Sequence, residues 1–154
     1  MKISKQEVLT FLRTQEGCVI STLSPQQEIE SSFVYFASNE DLNVYFITGR
    51  HTGKYKNILA NKKISFVVAD AENSITVQGR GEALEIENED EGKRVYDLLL
   101  QIYHEKIQNW PPPFEKMKEA KLAILKINFS WLRYANFKDL KEGSFDDFYS
   151  QILP

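Results

Sequence analysis

Apolar and polar residues alternate along most of this chain, and the alternation gives way to helical spacing in four places. Stretches of period two, rich in β-branched and aromatic residues, occupy 18–23, 31–37, 42–48, 64–69, 74–86 and 123–136, which predicts six strands. In the third of them Val44, Phe46 and Thr48 share one face while Tyr45 and Ile47 share the other, so neither face is polar. The helical stretches put Val8, Phe11 and Leu12 behind the capping-box pattern of Ser4 and Glu7, and Tyr55, Ile58 and Leu59 behind Thr52. A third places Val95, Leu98, Leu99, Ile102 and Tyr103 behind Asn88, and a fourth holds Phe145, Phe148, Tyr149, Ile152 and Leu153.

Turn chemistry falls between these elements. Gly17 is the expected stop of the first helix, Ser24 to Gln27 and Asn39 to Asp41 supply turns, and Gly79 with Gly81 marks a bend or bulge inside a long strand. Trp110 and the three prolines after it end the third helix, and Trp110 is expected at a dimer edge or a pocket. The sum is a mainly β, α+β chain: one domain over 1–154, a six-stranded β-barrel with flanking helices, an N-terminal helix within 1–16 and a helical segment within 138–154.

Composition narrows the function more than the fold. The net charge is -3 with no block of Lys and Arg, so the electrostatic footprint of a nucleic-acid partner is missing. Cys18 is the single cysteine and fits a buried strand position in a reducing compartment. The first residues lack the apolar centre of a secretion signal, and no apolar run approaches the roughly 20 residues a bilayer needs. A cytoplasmic protein without membrane contact is the expectation. Two scattered histidines, His51 and His104, do not make a metal site with one cysteine.

The most informative stretch joins the third strand to the second helix. Thr52, Gly53 and Lys54 bring a hydroxyl, an unshielded backbone and an ammonium to a helix N-terminus, where unpaired N–H groups and the positive dipole end favour an anion. A lysine in a first helical turn is disfavoured by that dipole unless an anion offsets it, which points to a phosphate.

The order Tyr45, Phe46, Ile47, Thr48, then Thr52, Gly53, Lys54, then Asn57, Ile58, Leu59, Ala60, Asn61 ahead of a strand resembles the flavin phosphate segment of the pyridoxamine 5′-phosphate oxidase-like family. The resemblance implies an FMN-binding split β-barrel that works as a homodimer with its cofactor site at the subunit interface. It places Ile47 and Thr48 beside the flavin and matches Thr52, Gly53 and Lys54 to a Ser-Arg-Lys triplet that binds the FMN phosphate. Gly53 lacks the triplet's guanidinium, so either Arg50 supplies the second charge or the phosphate is held more weakly. Ser74 occupies the place of a polar residue that contacts the cofactor, and Trp131 that of a tryptophan lying by the flavin across the dimer interface.

The function so implied is a flavin-dependent oxidoreductase acting on a small molecule that the sequence does not identify. The alternatives are a dimeric flavin- or ligand-binding module without turnover and a nitroreductase-like resistance protein. Nothing after His104 is a histidine, which ranks a haem-degrading relative lower. An apolar arm around Phe145 and Phe148 offers a symmetric contact between subunits.

Overall fold

A computed structural model describes residues 3–106, 121–143 and 148–153. The elements run α1 (Lys5–Thr14), β1 (Gly17–Leu23), β2 (Ile29–Tyr35), β3 (Ala37–Ser38), β4 (Val44–Gly49), α2 (Gly53–Ala60), β5 (Lys63–Asp70), β6 (Ile75–Glu85), α3 (Glu89–Lys106), β7 (Leu122–Asn136) and β8 (Tyr149–Leu153). The strands form one curled antiparallel sheet in the order β2-β1-β5-β6-β7-β4-β3, with β8 also paired to β7. This is the split barrel that the resemblance implies, built on the strands that the alternation predicts. All six predicted strands are present, and β3 and β8 are added to them.

The split lies on β7. One edge of this strand pairs with β6 from Leu125 to Asn136, while the other is shared: residues 122–127 pair with β4, and residues 132–135 pair with β8. The terminal segment predicted as helical within 138–154 is therefore corrected. After a short 3-10 turn at Phe137–Asp139, Tyr149–Leu153 is a strand. An unfilled edge of β7 offers backbone partners that an isolated five-residue helix cannot match. Phe145, the Trp110 segment and its prolines lie outside the described residues.

Local signals explain the helices. Ser4 accepts from the Glu7 N–H while the Glu7 carboxylate accepts from the Ser4 N–H, closing the capping box on α1. The helix stops at Thr14 rather than at Gly17, which opens β1; a Cβ on Gly17 would lie 2.0 Å from the Phe33 ring. Thr52 caps α2, and the Asn88 side chain accepts from the Glu91 N–H at 2.8 Å at the start of α3.

The main core fills the curl of the sheet, where Val8, Leu9 and Leu12 of α1 meet Ile20, Phe46, Phe66, Val77 and Leu125. A second, smaller cluster packs Val95 and Leu99 of α3 on Tyr45 and Ala37, with Ile47 against it. The two apolar faces of β4 read from the sequence are thus both used. Burial pushes the Cys18 thiol up, as expected of a small hydrophobe within a strand.

A bulge sets which way the second half of β7 faces. Arg80 pairs with Trp131 but Gly81 pairs with Phe129, so Ser130 is one residue too many for the ladder. Before it Leu125 and Ile127 point inward; after it Leu132 and Tyr134 do. Trp131 and Arg133 are consequently turned to the outer face. Among the described residues that face also exposes an apolar row, Phe33, Val19 and Val67, in register across β2, β1 and β5.

Candidate functional site

The β4–α2 corner is built from hydroxyls. The Thr52 hydroxyl donates to the Gly49 carbonyl at 2.8 Å, lies 3.0 Å from the Thr48 hydroxyl and accepts from the Tyr55 N–H at 3.4 Å. Thr48 is buried, so the corner is held from below as well as capped from above. Lys54 follows in the first turn of α2, half-buried, and among the described residues it has no ion-pair partner. Burial holds its ammonium below the ordinary lysine value. A lysine partly stripped of water, without a counter-charge, at a helix N-terminus is arranged to receive an anion.

Arg50, to which the sequence leaves open the second charge, is tied to two neighbours in this structure. Its guanidinium donates to the Tyr55 hydroxyl at 2.6 Å and pairs with the Glu85 carboxylate, and the Tyr55 hydroxyl donates to the other Glu85 oxygen at 2.7 Å. The hydrogen bond to Glu85, burial and the Glu85 charge together raise the Tyr55 phenol above its ordinary value. This triangle ties the loop after β4 to the end of β6. Lys54, in the first turn of α2, is not part of it.

A carboxylate also stands close to that terminus. Glu30 of β2 accepts from the Asn57 side chain at 2.8 Å, and a Cβ on Gly53 would lie 3.4 Å from the same Glu30 oxygen. Asn57 is buried and donates as well to the Thr22 hydroxyl at 3.1 Å. Where the family triplet has an arginine, this chain has a glycine with a glutamate beside it. The two changes act in one direction, towards a less positive loop. Replacing Glu30 by glutamine keeps an acceptor for Asn57 and removes the charge, so it is expected to tighten phosphate binding at this corner about threefold, the scale of one exposed charge interaction; equal affinities in a titration with inorganic phosphate would contradict this.

The remaining residues singled out from the sequence are dispersed. Ile47 points away from the loop and into the α3 cluster. Ser74 closes the β5–β6 turn at the opposite end of β6 from Glu85, in the left-handed region at φ 60°, where its carbonyl accepts from the Phe137 N–H at 2.9 Å. Trp131 stands further along β7 than Ala123, the partner of Thr48, and its described neighbours are the guanidiniums of Arg80 and Arg133. Within one chain, then, Thr48, Thr52, Gly53 and Lys54 are brought together, while Ser74 and Trp131 are not with them. Sequence reasoning misses Glu30 and Glu85 as parts of the corner, and reads Tyr55 only as an apolar position of α2 and Asn57 only as part of the resembling segment. Only Asn57 leaves a signal, as an amide next to Ile58 on the buried side of α2.

A split barrel with an anion-receiving corner between its fourth strand and second helix defines a class. The family described as pyridoxamine 5′-phosphate oxidase matches residues 4–136, and the chain belongs to it. It is similar to the 5a,11a-dehydrotetracycline/5a,11a-dehydrooxytetracycline reductase of Streptomyces rimosus, at 25% identity over 115 residues that cover 68% of this chain and 81% of that protein. Among solved structures it superposes on an F420 reductase with a TM-score of 0.64 and 21% identity, covering 80% of this chain and 93% of the other. A haem-binding protein from Mycobacterium smegmatis gives a TM-score of 0.73 at 12% identity, with 99% of this chain and 59% of that one covered. A reductase is thus among the proteins this chain resembles in sequence, and a reductase and a haem-binding protein are among those it resembles in fold. No helix among the described residues is long and apolar enough to cross a membrane.

Proposed function

We propose that this protein is an FMN-dependent oxidoreductase that works in the cytoplasm as a homodimer, reducing or oxidising a small molecule. The observation that carries the reading is Lys54: half-buried, without a described counter-charge, at the N-terminus of a helix capped by Thr52. The donor set fits a phosphate, since the unpaired N–H groups of the first helical turn and the Lys54 ammonium belong to one turn with no side chain on Gly53 to crowd it, while the Thr52 hydroxyl, spent on the Gly49 carbonyl, fixes that turn. When bound, the flavin supplies the electron or hydride transfer. The chain's own task is to hold the phosphate at Thr52 to Lys54 and to keep that corner fixed through the Arg50, Tyr55 and Glu85 triangle.

The homodimer is supported by the row Phe33, Val19 and Val67, which lies in register on the outer face and is exposed in a single chain. A second copy related by a two-fold axis would cover it and bring the partner's outer face, Trp131 included, towards the cofactor. The alternative of a flavin-binding module without turnover is favoured by one observation, the Glu30 carboxylate beside Gly53, which weakens a phosphate site.

The test is an FMN titration of the purified protein, monitored by flavin fluorescence, with light scattering on the same sample. Binding to a dimer with one FMN per chain is expected. A monomer that leaves the flavin spectrum unchanged at high concentration would overturn the proposal. Binding without oxidation or reduction of any substrate in a broad panel, nitroaromatics included, would select the module.

A further inference from the structure

The loop before α2 holds a second cation, and a carboxylate keeps it occupied. Arg50 stands two residues ahead of the cap Thr52, and its guanidinium reaches the Tyr55 side chain, 5.5 Å from the ring centroid. Tyr55 belongs to the turn that would receive an anion: its N–H is the one that Thr52 caps, and Lys54 immediately precedes it. The Arg50 N–H donates to the Lys121 carbonyl at 2.8 Å, which ties down the backbone and leaves the side chain as the part that can change partner.

Two carboxylates therefore bear on this corner in different ways. Glu30 acts by standing beside Gly53, whereas Glu85 acts by engaging Arg50. The Arg50 side chain is 43% exposed and that of Glu85 22%, so water weakens the pair that holds the guanidinium. A phosphate at the helix terminus is a strong rival for it, because its oxygens match the forked donors of an arginine and its charge is favoured there by the dipole as well. One guanidinium thus has two possible anions, and it cannot satisfy both with the same donors.

We infer that Glu85 sets the phosphate affinity of the corner by holding Arg50 back, as a positioning residue that acts through Arg50 and does not itself touch the ligand. The inference rests on the phosphate reading above. It gives the corner one committed cation, Lys54, and one withheld, Arg50. Neutralising Glu85 releases the second without adding any charge to the chain's own loop.

The experiment is a double-mutant cycle on the full-length protein with Glu85→Gln, Arg50→Gln and the two combined, titrated with FMN and with riboflavin by flavin fluorescence. Glutamine at 85 keeps an acceptor for the Tyr55 hydroxyl and removes the charge. Glu85→Gln is expected to tighten FMN about fivefold, to leave riboflavin within about twofold of wild type, and to bring no gain when Arg50 is already glutamine. An unchanged or weakened FMN affinity overturns the inference. So does an equal gain for riboflavin, which would make Glu85 a purely structural residue, and so does a gain that survives the loss of Arg50, which would make Glu85 a direct repellent of the phosphate. Inorganic phosphate, followed by phosphorus NMR on the same four proteins, separates this inference from the flavin reading. If FMN binds to none of them but Glu85→Gln still tightens phosphate through Arg50, the role of Glu85 stands and the flavin reading falls; if neither ligand responds, both fall.

Discussion

Replacing Lys54 with alanine is expected to weaken FMN binding about thirtyfold, roughly 2 kcal/mol, and to leave riboflavin binding within about threefold of wild type. The asymmetry follows from where the charge is placed. Riboflavin lacks the phosphate, so it cannot report on an ammonium at the helix terminus, whereas FMN loses a charge-assisted hydrogen bond there. The effect should exceed the usual worth of a surface ion pair because Lys54 is half-buried and its competing hydration is already reduced. Arg50 would have to leave Glu85 and Tyr55 to compensate. Parallel losses for both flavins would show that the substitution damages the fold of the corner rather than a phosphate contact.

The same lysine predicts a pH dependence with a definite sign. Burial lowers its pKa in the free protein, and a bound phosphate favours the charged form. Binding near that pKa therefore takes up a proton, and FMN affinity must fall as the pH rises towards the ordinary lysine value, beginning below it. Riboflavin affinity, measured by the same fluorescence titration, should show no such decline.

How far the sequence reveals the molecule depends on the range of the interaction. Alternation within a strand is local, so the six long strands are legible, as are the caps at Ser4, Thr52 and Asn88, each a contact within three residues. The terminal strand is not legible, because Phe148, Tyr149, Ile152 and Leu153 suit a helical face as well as an edge. The deciding factor is an edge of β7 that residues 132–135 leave open. At the site the same division holds. Thr52 and Lys54 are local to one corner and can be read as a pair. Glu30 lies 27 residues from Asn57 and Glu85 lies 35 from Arg50, so neither the carboxylate beside Gly53 nor the capture of Arg50 has any signature in the chain.

Gly81 offers the sharpest test of how the backbone aims the outer face. The sequence marks it for a bulge, and the structure adds that the surplus residue is Ser130 on the facing strand. A Cβ on Gly81 would lie 2.0 Å from the Asn128 carbonyl oxygen and 2.8 Å from the Phe129 Cα, both backbone atoms that cannot rotate away. Gly81→Ala is therefore expected to destabilise the fold by at least about 3 kcal/mol, a fall in Tm on the order of 10 °C for a chain of this size. Gly53→Ala is the control, since the nearest atom to its new methyl is the end of the Glu30 side chain at 3.4 Å; its Tm should stay within about 2 °C of wild type. The consequence for the outer face is separate from stability. The bulge is what turns Trp131 and Arg133 outward, so a Gly81→Ala protein that still folds must either splay the β6–β7 ladder or expel the bulge and point Trp131 into the core. Calorimetric melting and quenching of tryptophan fluorescence by acrylamide together distinguish these outcomes, and an unchanged melting temperature with unchanged quenching would show that the ladder yields without cost.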